Sequence, residues 1–330
     1  MALDKKIKDI LEKRTSEAIL KMPPEDAIEG ELVPKTSPSK IVPAEQLSLD
    51  FLEIVPSNEY MTAFTRIPVF LPIKNRKKCN ADPEEGVVME TSWGRIRRFG
   101  AGLNIYDEDT LMGLMHCCRQ RAITGKTSDV YTYTQPTSQN ELIRNNNEPV
   151  ITIHYGESSL YEINRYLNRG TGGKDYKKTR DSIRRLSRVT FEVEVGPSGK
   201  AIHINDLLFK LVNKEDSGSR QPFKVIFQPL VTQLLASQLT YIDMNIRMQL
   251  TDLGKAVHRF LSSQFDSKRY SYEIGTKKLY EIIGYQGEYK AFMRSMRNDV
   301  IPKLIDTGWI QDGKIESDGK NKPLKLKILK

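Results

Sequence analysis

Apolar residues recur at helical spacing in three segments of the chain between residues 107 and 188, and two short alternating segments follow them. The pattern predicts helices over residues 107–121, 158–167 and 174–188. The first helix opens with acidic residues, which suit a helix N-terminus, and the second has Ser158 and Ser159 as candidate N-caps. Strands are predicted over residues 189–195 and 201–204, around a turn at 196–199. Three helices followed by a hairpin are the ingredients of a winged helix-turn-helix domain.

The same order of elements recurs in the second half of the chain. The pattern predicts helices over residues 251–264, 275–283 and 288–305, a strand at Trp309–Ile310, a turn at Asp312–Gly313 and an alternating stretch over 324–329. The letters of residues 160–163, Leu-Tyr-Glu-Ile, reappear at residues 279–282, each time in the helix before a basic helix. Agreement in element order, apolar phase and charge favours an internal duplication. The predicted fold class is therefore α+β, with two tandem winged-helix domains.

Composition divides the chain into three parts. Residues 1–58 are rich in Pro, Ser and charged residues, which predicts a mostly disordered N-terminal arm. A cluster of turn-forming residues at 213–221 marks the predicted boundary between the two winged-helix domains, although it could also lie inside a hairpin. We therefore predict an arm over 1–58, a first domain over 59–222 and a second domain over 223–330.

The net charge of the chain indicates the kind of partner. Lysine and arginine outnumber aspartate and glutamate by 51 to 42, a formal net charge of +9 with a sequence pI near 9.2. This excess favours a polyanionic partner, nucleic acid first and an anionic membrane second. The sequence has no apolar run of about 18 residues, and its first ten residues are too polar for a signal sequence, so we expect a cytoplasmic protein with no membrane partner. The three cysteines offer neither a disulfide framework nor zinc-binding spacing.

The predicted helix over 174–188 is strongly basic on one side. It holds seven basic and two acidic residues in fifteen positions, while Tyr176, Thr179, Ile183 and Leu186 form an apolar stripe. A solvated surface helix would look similar, but the third helix before a hairpin is the one that enters a DNA groove. The candidate DNA contacts, expected mainly to hold the phosphate backbone, are Lys174, Lys177, Lys178, Arg180, Arg184, Arg185 and Arg188.

The predicted helix over 288–305 repeats this design with different polar residues. Its candidate DNA contacts are Lys290, Arg294, Arg297 and Asn298. Arg can bind guanine and Asn can bind adenine through two hydrogen bonds, which predicts that this helix supplies more of the base recognition. Pro302 is expected to kink or end the helix at its far end. The alternative is a structural helix with an ordinary polar face.

Several patterns that would indicate an enzyme are incomplete. The stretch over residues 170–175 resembles a phosphate-binding loop, but Asp175 stands where Ser or Thr would hold magnesium. The four histidines form no metal-binding pair. The acidic residues at 107–109 are explained more simply by the start of a helix. We therefore expect no catalytic site, no metal and no cofactor, and a nuclease or nickase is only a third possibility.

Two motifs resemble those of the plasmid replication initiator protein A family, which is related in architecture to the TrfA initiators. Residues 168–176, Asn-Arg-Gly-Thr-Gly-Gly-Lys-Asp-Tyr, with the basic helix that ends at residues 184–187, are similar to the core motif of that family. Residues 106–109 are similar to its Trp-Asp-x-Asp motif, with Tyr106 in place of Trp. The resemblance covers residues 60–310 and is most specific over 168–187.

The resemblance implies a role in DNA replication. Initiators of this kind carry tandem winged-helix domains, bind repeated sites in double-stranded origin DNA, help open the duplex and recruit the host replicative helicase without hydrolysing a nucleotide. They often exist as inactive homodimers. A winged-helix transcriptional regulator, which would bind an operator without opening DNA, is the main alternative.

The predicted arm contains a short motif similar to the peptide that binds the bacterial sliding clamp. Its candidate contacts are Gln46, Leu47, Leu49 and Phe51. A disordered segment can extend into a groove, where spaced apolar side chains fill a pocket and an amide bonds at its edge. Alternation continues through Leu52 and Ile54, so the same residues could instead begin the first strand of the folded domain.

Overall fold

The computed structural model describes residues 59–73, 84–91, 94–123, 154–195, 202–212, 218–228, 231, 239–265, 270–317, 319 and 322–330. All of these residues belong to one compact unit over residues 43–330. The arm predicted over 1–58, with the candidate clamp-binding peptide, lies outside the described residues. No helix within the described ranges is long and apolar enough to cross a membrane.

The first half of the described chain mixes short strands with three longer helices. Its elements are β1 (Glu59–Met61), α1 (Thr62–Thr65), β2 (Phe70–Leu71), β3 (Val87–Thr91), β4 (Gly94–Phe99), β5 (Leu103–Asn104), α2 (Ile105–Ile123), β6 (His154–Ser158), α3 (Leu160–Tyr166), α4 (Gly173–Leu186), β7 (Thr190–Val195), β8 (Ile202–Leu207) and β9 (Phe209–Leu211). The predicted helices and hairpin of this half are confirmed as α2, α3, α4 and the antiparallel pair of β7 and β8. Ser159 is the N-cap of α3 and forms a capping box with Glu162, whereas Ser158 ends β6.

The second half repeats the order of helices and hairpin. Its elements are β10 (Phe223–Phe227), β11 (Leu239–Tyr241), α5 (Met244–Arg247), α6 (Asp252–Ser262), β12 (Ser271–Gly275), α7 (Thr276–Ile283), α8 (Tyr289–Ser295), a π-helical turn (Met296–Val300), α9 (Ile301–Asp306), β13 (Asp312–Ser317) and β14 (Leu324–Leu329). The prediction of a strand at Trp309–Ile310 and a turn at Asp312–Gly313 is wrong. The side chains of Trp309 and Ile310 are buried in the segment before β13. Asp312 is the first residue of that strand and pairs with Leu329.

Antiparallel sheets cover the helices of both halves, so the α+β class is confirmed. The largest sheet has the strand order β3-β4-β7-β8, and the C-terminal sheet has the order β12-β14-β13. A third sheet, β6-β10-β9, joins β10 to strands of the first half, although β10 begins at the predicted domain boundary. Two short pairs complete the framework: β1 with β11, antiparallel, and β2 with β5, parallel.

The apolar stripes of the two basic helices face the core. Ile183 and Leu186 of α4 are buried, and α4 packs against α2. Phe292 and Met296 are buried in the second half, and the π-helical turn packs against α6. The predicted orientation of both helices is therefore confirmed, and each basic face points away from the core.

The long helix of the second half passes through Pro302 without ending there. Proline has no N–H group and its ring crowds the carbonyl four residues earlier, so a regular α-helix is interrupted at such a position. Here the interruption takes the form of the π-helical turn, in which the Ile301 N–H donates to Met296 O, five residues back. Pro302 then lies in the first turn of α9, and helical structure continues to Asp306. The helix therefore does not end at Pro302, contrary to one of the two expectations. It widens into a π-helical turn just before the proline and then continues.

Candidate nucleic-acid interface

Buried polar side chains fix the loop that leads into α4. Asn168 has φ of 53°, a left-handed conformation that Asn adopts more readily than most residues, and it turns the chain after α3. The Asn164 side-chain amide donates to Gly170 O at 2.9 Å, and the Thr179 hydroxyl donates to Asn164 Oδ1 at 2.5 Å. Because Asn164 and Thr179 are fully buried, these bonds fasten the loop to the first turns of α4.

The arginine of the same loop faces the protein interior. The Arg169 guanidinium lies over the Tyr106 ring, 3.6 Å from its centroid, and donates to Thr110 Oγ1 at 2.8 Å and to Tyr106 O at 3.0 Å. Burial lowers the pKa of Arg169 from its ordinary value, and the neighbouring Tyr106 and Asp109 oppose that shift. Tyr106 therefore supplies an aromatic ring where the resembled motif has Trp, and Arg169 supports the placement of α4.

Most of the basic residues predicted on the first helix are accessible. Lys174, Lys177, Lys178 and Arg188 are exposed, and Arg180 and Arg184 are half-buried. The exposed lysines lie in the first half of α4, and Arg188 follows its end. Together they form a positive surface on the side of the helix opposite its buried stripe.

Arg185 differs from the other basic residues of this helix. Its Nη2 donates to Asp107 Oδ1 at 2.5 Å, and the Ser182 hydroxyl donates to the same oxygen at 2.6 Å. Asp107 is fully buried, so its carboxylate depends on these partners. Because Asp107 already neutralises the Arg185 charge, we leave Arg185 out of the proposed DNA-contact set.

All four polar candidates of the second helix are exposed. They are Lys290, Arg294, Arg297 and Asn298. Lys290 and Arg294 lie on α8, whereas Arg297 and Asn298 belong to the π-helical turn. The start of this helix is fixed by a hydrogen bond between the Tyr289 and Thr276 hydroxyls at 2.5 Å. The structure therefore presents two separate basic surfaces, one in each half.

A buried ionic network joins the two halves. We call it the central ionic network; its members are Glu108 and Asp109 of α2, Arg247 of α5, and Lys255 and Arg259 of α6. Arg247 donates to Glu108 at 2.7 Å and to Asp109 at 2.7 Å. Arg259 donates to the other Glu108 oxygen at 2.9 Å, and Lys255 donates to Asp109 at 2.6 Å.

The electrostatics of this network favour the charged forms of Asp109 and Arg247. Burial alone would raise the pKa of Asp109, but the charges of Arg247 and Lys255 outweigh it and hold the pKa below its ordinary value. Burial would lower the pKa of Arg247, but Asp109 and Glu108 raise it. The helix start alone, which the sequence offered as the explanation, therefore does not account for residues 107–109. Arg247 and Arg259 were not singled out in the sequence, because an arginine on a helix gives no sign of its partner.

The described residues offer no group suited to hold a metal ion, and their two cysteines are buried. No group of three or more His, Cys, Asp or Glu side chains is arranged to hold a metal ion within the described ranges. Cys117 and Cys118 are buried, and burial raises the pKa of Cys117 to about 12. A thiol in such an environment stays protonated and serves packing rather than chemistry.

Comparison with known proteins finds likenesses only among solved structures. No family model and no curated protein matches the sequence. A crystal structure of selenomethionine-labelled domains 2 and 3 of RctB is 12% identical with a TM-score of 0.49, over 82% of this chain and 98% of that one. A second structure of RctB domains 2–3 is 12% identical with a TM-score of 0.45, over 77% and 95%. The Pi initiator protein in complex with iteron DNA is 11% identical with a TM-score of 0.39, over 53% and 81%. Each of these likenesses is one of structure, at a sequence identity of 12% or less.

Proposed function

We propose that the protein is a sequence-specific, double-stranded DNA-binding replication initiator of a plasmid or plasmid-like phage. The observation that carries the proposal is the pair of helices of one design, each with a buried apolar stripe and an exposed basic face. Apart from the four-residue helices α1 and α5, each is the third helix of its half, and each is followed by an antiparallel hairpin. Two such surfaces on one compact unit suit a partner with regularly spaced negative charges.

The two halves would each act as a winged-helix domain. In this arrangement α4 and the long helix starting at Tyr289 enter successive major grooves, and the hairpins of β7–β8 and β13–β14 act as wings beside the backbone. The helices would contribute in different ways. On α4, contacts to phosphate come from Lys174, Lys177, Lys178, Arg180, Arg184 and Arg188, whereas the second helix supplies base contacts, with Arg297 and Asn298 on its exposed face.

The replication role rests on the sequence motifs over residues 106–109 and 168–187. As an initiator, the protein would bind repeated sites at an origin, help separate the strands and recruit the replicative helicase in the cytoplasm of its host. The segment with Gln46, Leu47, Leu49 and Phe51 would add a contact to the sliding clamp, and a homodimer would be the storage form. We propose no catalytic step and no cofactor for this protein.

The first experiment measures binding to duplex DNA as a function of salt. If both helices contact phosphates, the logarithm of the affinity should fall steeply with the logarithm of salt concentration, by about 0.9 for each phosphate neutralised. An affinity that hardly changes between about 50 and 200 mM salt would remove the DNA-binding proposal.

The second experiment separates an initiator from a regulator or a nuclease. The purified protein is added to supercoiled DNA that carries the candidate origin, and single-stranded regions are probed chemically. Strand opening beside repeated binding sites supports initiation, whereas binding without opening favours a transcriptional regulator. Cleavage that depends on a divalent metal would instead indicate a nuclease.

A further inference from the structure

The burial pattern of the second basic helix changes phase at its π-helical turn. In a regular α-helix, residues at spacings of three, four and seven share one face, so Arg294, Asn298 and Ile301 would lie together. Arg294 and Asn298 are exposed, but Ile301 is only 6% exposed. The turn therefore contains one residue more than an α-helix would need, and this residue returns the later apolar side chains to the core.

Both ends of the π-helical turn are held in the protein interior. Met296 and Val300 are each 1% exposed, so the side chains that begin and end the turn are fixed by packing. Asp299 accepts a hydrogen bond from the Thr251 hydroxyl, the N-cap of α6, at 2.9 Å. Pro302 prevents the regular α-helical hydrogen bond at the next position. The extra residue must then be accommodated on the free side of the turn, where Arg297 and Asn298 lie.

From this geometry we propose that the π-helical turn is the base-reading element of the protein. The inference rests on the proposed function and narrows it, because it assigns recognition to Arg297 and Asn298 and leaves Lys290 and Arg294 to the backbone. A widened turn carries its two solvent-facing residues farther from the helix axis than an α-helical turn does. The Arg297 and Asn298 side chains, carried outward in this way, can reach guanine and adenine edges in the groove. The residues on either side of the turn would then contact the phosphates.

The direct test removes the extra residue. The test variant combines deletion of Asp299 with Pro302→Ala. Met296, Val300 and Ile301 then lie three and four positions apart, on one buried face of a regular α-helix. The matched control combines Asp299→Ala with Pro302→Ala, which removes the same side chains at unchanged length. The probes are the duplex that the wild-type protein enriches from a random-sequence pool and an unrelated duplex of equal length.

The preference is the ratio of the affinity for the enriched duplex to the affinity for the unrelated duplex. We expect this ratio to fall at least about 100-fold in the deletion variant, since specific and non-specific affinities differ by more than that. Its affinity for the unrelated duplex should change by less than about threefold, because the phosphate contacts remain. The control should keep its preference. If the deletion variant discriminates as well as the control does, the π-helical turn is not the reading element.

A second pair of variants avoids any change in the helix backbone. Arg297→Lys and Arg294→Lys both keep the charge and remove the planar fork that binds guanine. We expect Arg297→Lys to lower the preference for the enriched duplex about tenfold or more and Arg294→Lys to leave it within about twofold. Equal losses in both variants would overturn the inference. A wild-type protein that enriches no sequence, or that binds DNA without salt dependence, would instead contradict the proposed function itself.

Discussion

Single exposed residues of the two basic helices should affect DNA binding in different ways. Lys177 offers a flexible point charge suited to phosphate, whereas Arg297 offers a fork suited to a base edge. We expect Lys177→Ala to weaken binding to all sequences about equally and to reduce the salt slope by about 0.9. Arg297→Ala should relax the preference at particular base pairs by about 1–3 kcal/mol. Binding titrations against duplexes with single base-pair changes measure both effects, and a uniform loss in both variants would contradict this division.

His258 should make the folded protein sensitive to mild acid. It is fully buried against Trp309, with ring centroids 4.5 Å apart, and neither ring nitrogen has a hydrogen-bond partner among the described atoms. Burial, with smaller contributions from Arg247 and Lys330, lowers its pKa to about 3. Since the unfolded chain binds a proton near pH 6.5 and the folded protein does not, stability is full above that pH and is lost as the pH falls towards 3.

The size of this effect follows from the same linkage. We expect the free energy of unfolding to fall by about 1.4 kcal/mol for each pH unit below about 6.5, or about 2 kcal/mol by pH 5. His258→Phe should remove this part of the pH dependence, whatever it does to stability at pH 8. Urea unfolding at several pH values measures it, with His116→Phe as the control. An unchanged slope in the His258 variant would show that another group titrates.

Helical phase predicted most of the exposed basic residues, but it could not predict which charged residues pair inside the protein. Arg185 lies off the apolar stripe of α4, like the other basic residues, and only the tertiary structure brings the buried Asp107 within reach of it. Arg169 belongs to the loop that carried the family resemblance, yet its role depends on Tyr106 and Thr110, which are distant in sequence. The sequence therefore predicted the basic surface and not the interior supports beneath it.

At the scale of elements, the long second basic helix depends on its buried stripe. Phe292 is fully buried among aromatic side chains, with the rings of Tyr280 and Tyr285 at 5.5 and 5.6 Å. We expect Phe292→Ala to lower the free energy of unfolding by about 3–5 kcal/mol, because it leaves a cavity. Denaturant unfolding provides the measurement, and Arg294→Ala on the exposed face of the same helix should change stability by no more than about 0.5 kcal/mol. A near-neutral Phe292→Ala would mean that this face is not buried.

The longer helices and the hairpin of the first half could be predicted because their apolar periodicity is regular, whereas short strands such as β1, β2 and β5 were not predicted. The helices from α2 to α4 and the pair β7–β8 follow the pattern closely. The π-helical turn could not be predicted, since an extra residue shows only as a change of phase once the buried side chains are known. The start of β13 was misplaced because Asp312–Gly313 has the composition of a turn, although its backbone pairs with β14.

At the scale of the whole molecule, the central ionic network should make the loss of any one of its charges costly. Arg247 is fully buried and serves both Glu108 and Asp109. We expect Arg247→Met to cost about 3–5 kcal/mol in the free energy of unfolding, because two carboxylates lose a partner inside the protein. The matched control is Lys325→Met, which removes a partly exposed partner of Glu273 and should cost less than about 1 kcal/mol. A similar loss in the free energy of unfolding for both variants would show that burial does not increase the cost of breaking these ion pairs.

The arrangement of the two halves was the least predictable part of the structure. Arg247 and Glu108 are 139 residues apart, and no local pattern links an acidic helix start to an arginine of a later helix. The duplication of helices and hairpin predicted two similar halves, but not the ion pairs that join them. A single sequence shows which residues are charged, and only the fold shows which charges meet.

Because the central ionic network is buried, folding and the proposed DNA binding should respond differently to ionic strength. Dissolved ions screen exposed charges over a distance of about 8 Å at physiological salt, but they have little access to pairs inside a protein. The lysines of α4 face solvent, whereas Arg247 and Glu108 do not. We therefore expect concentrated salt to detach the protein from DNA while both basic helices keep their positions. On dilution it could bind again at once, without a folding step.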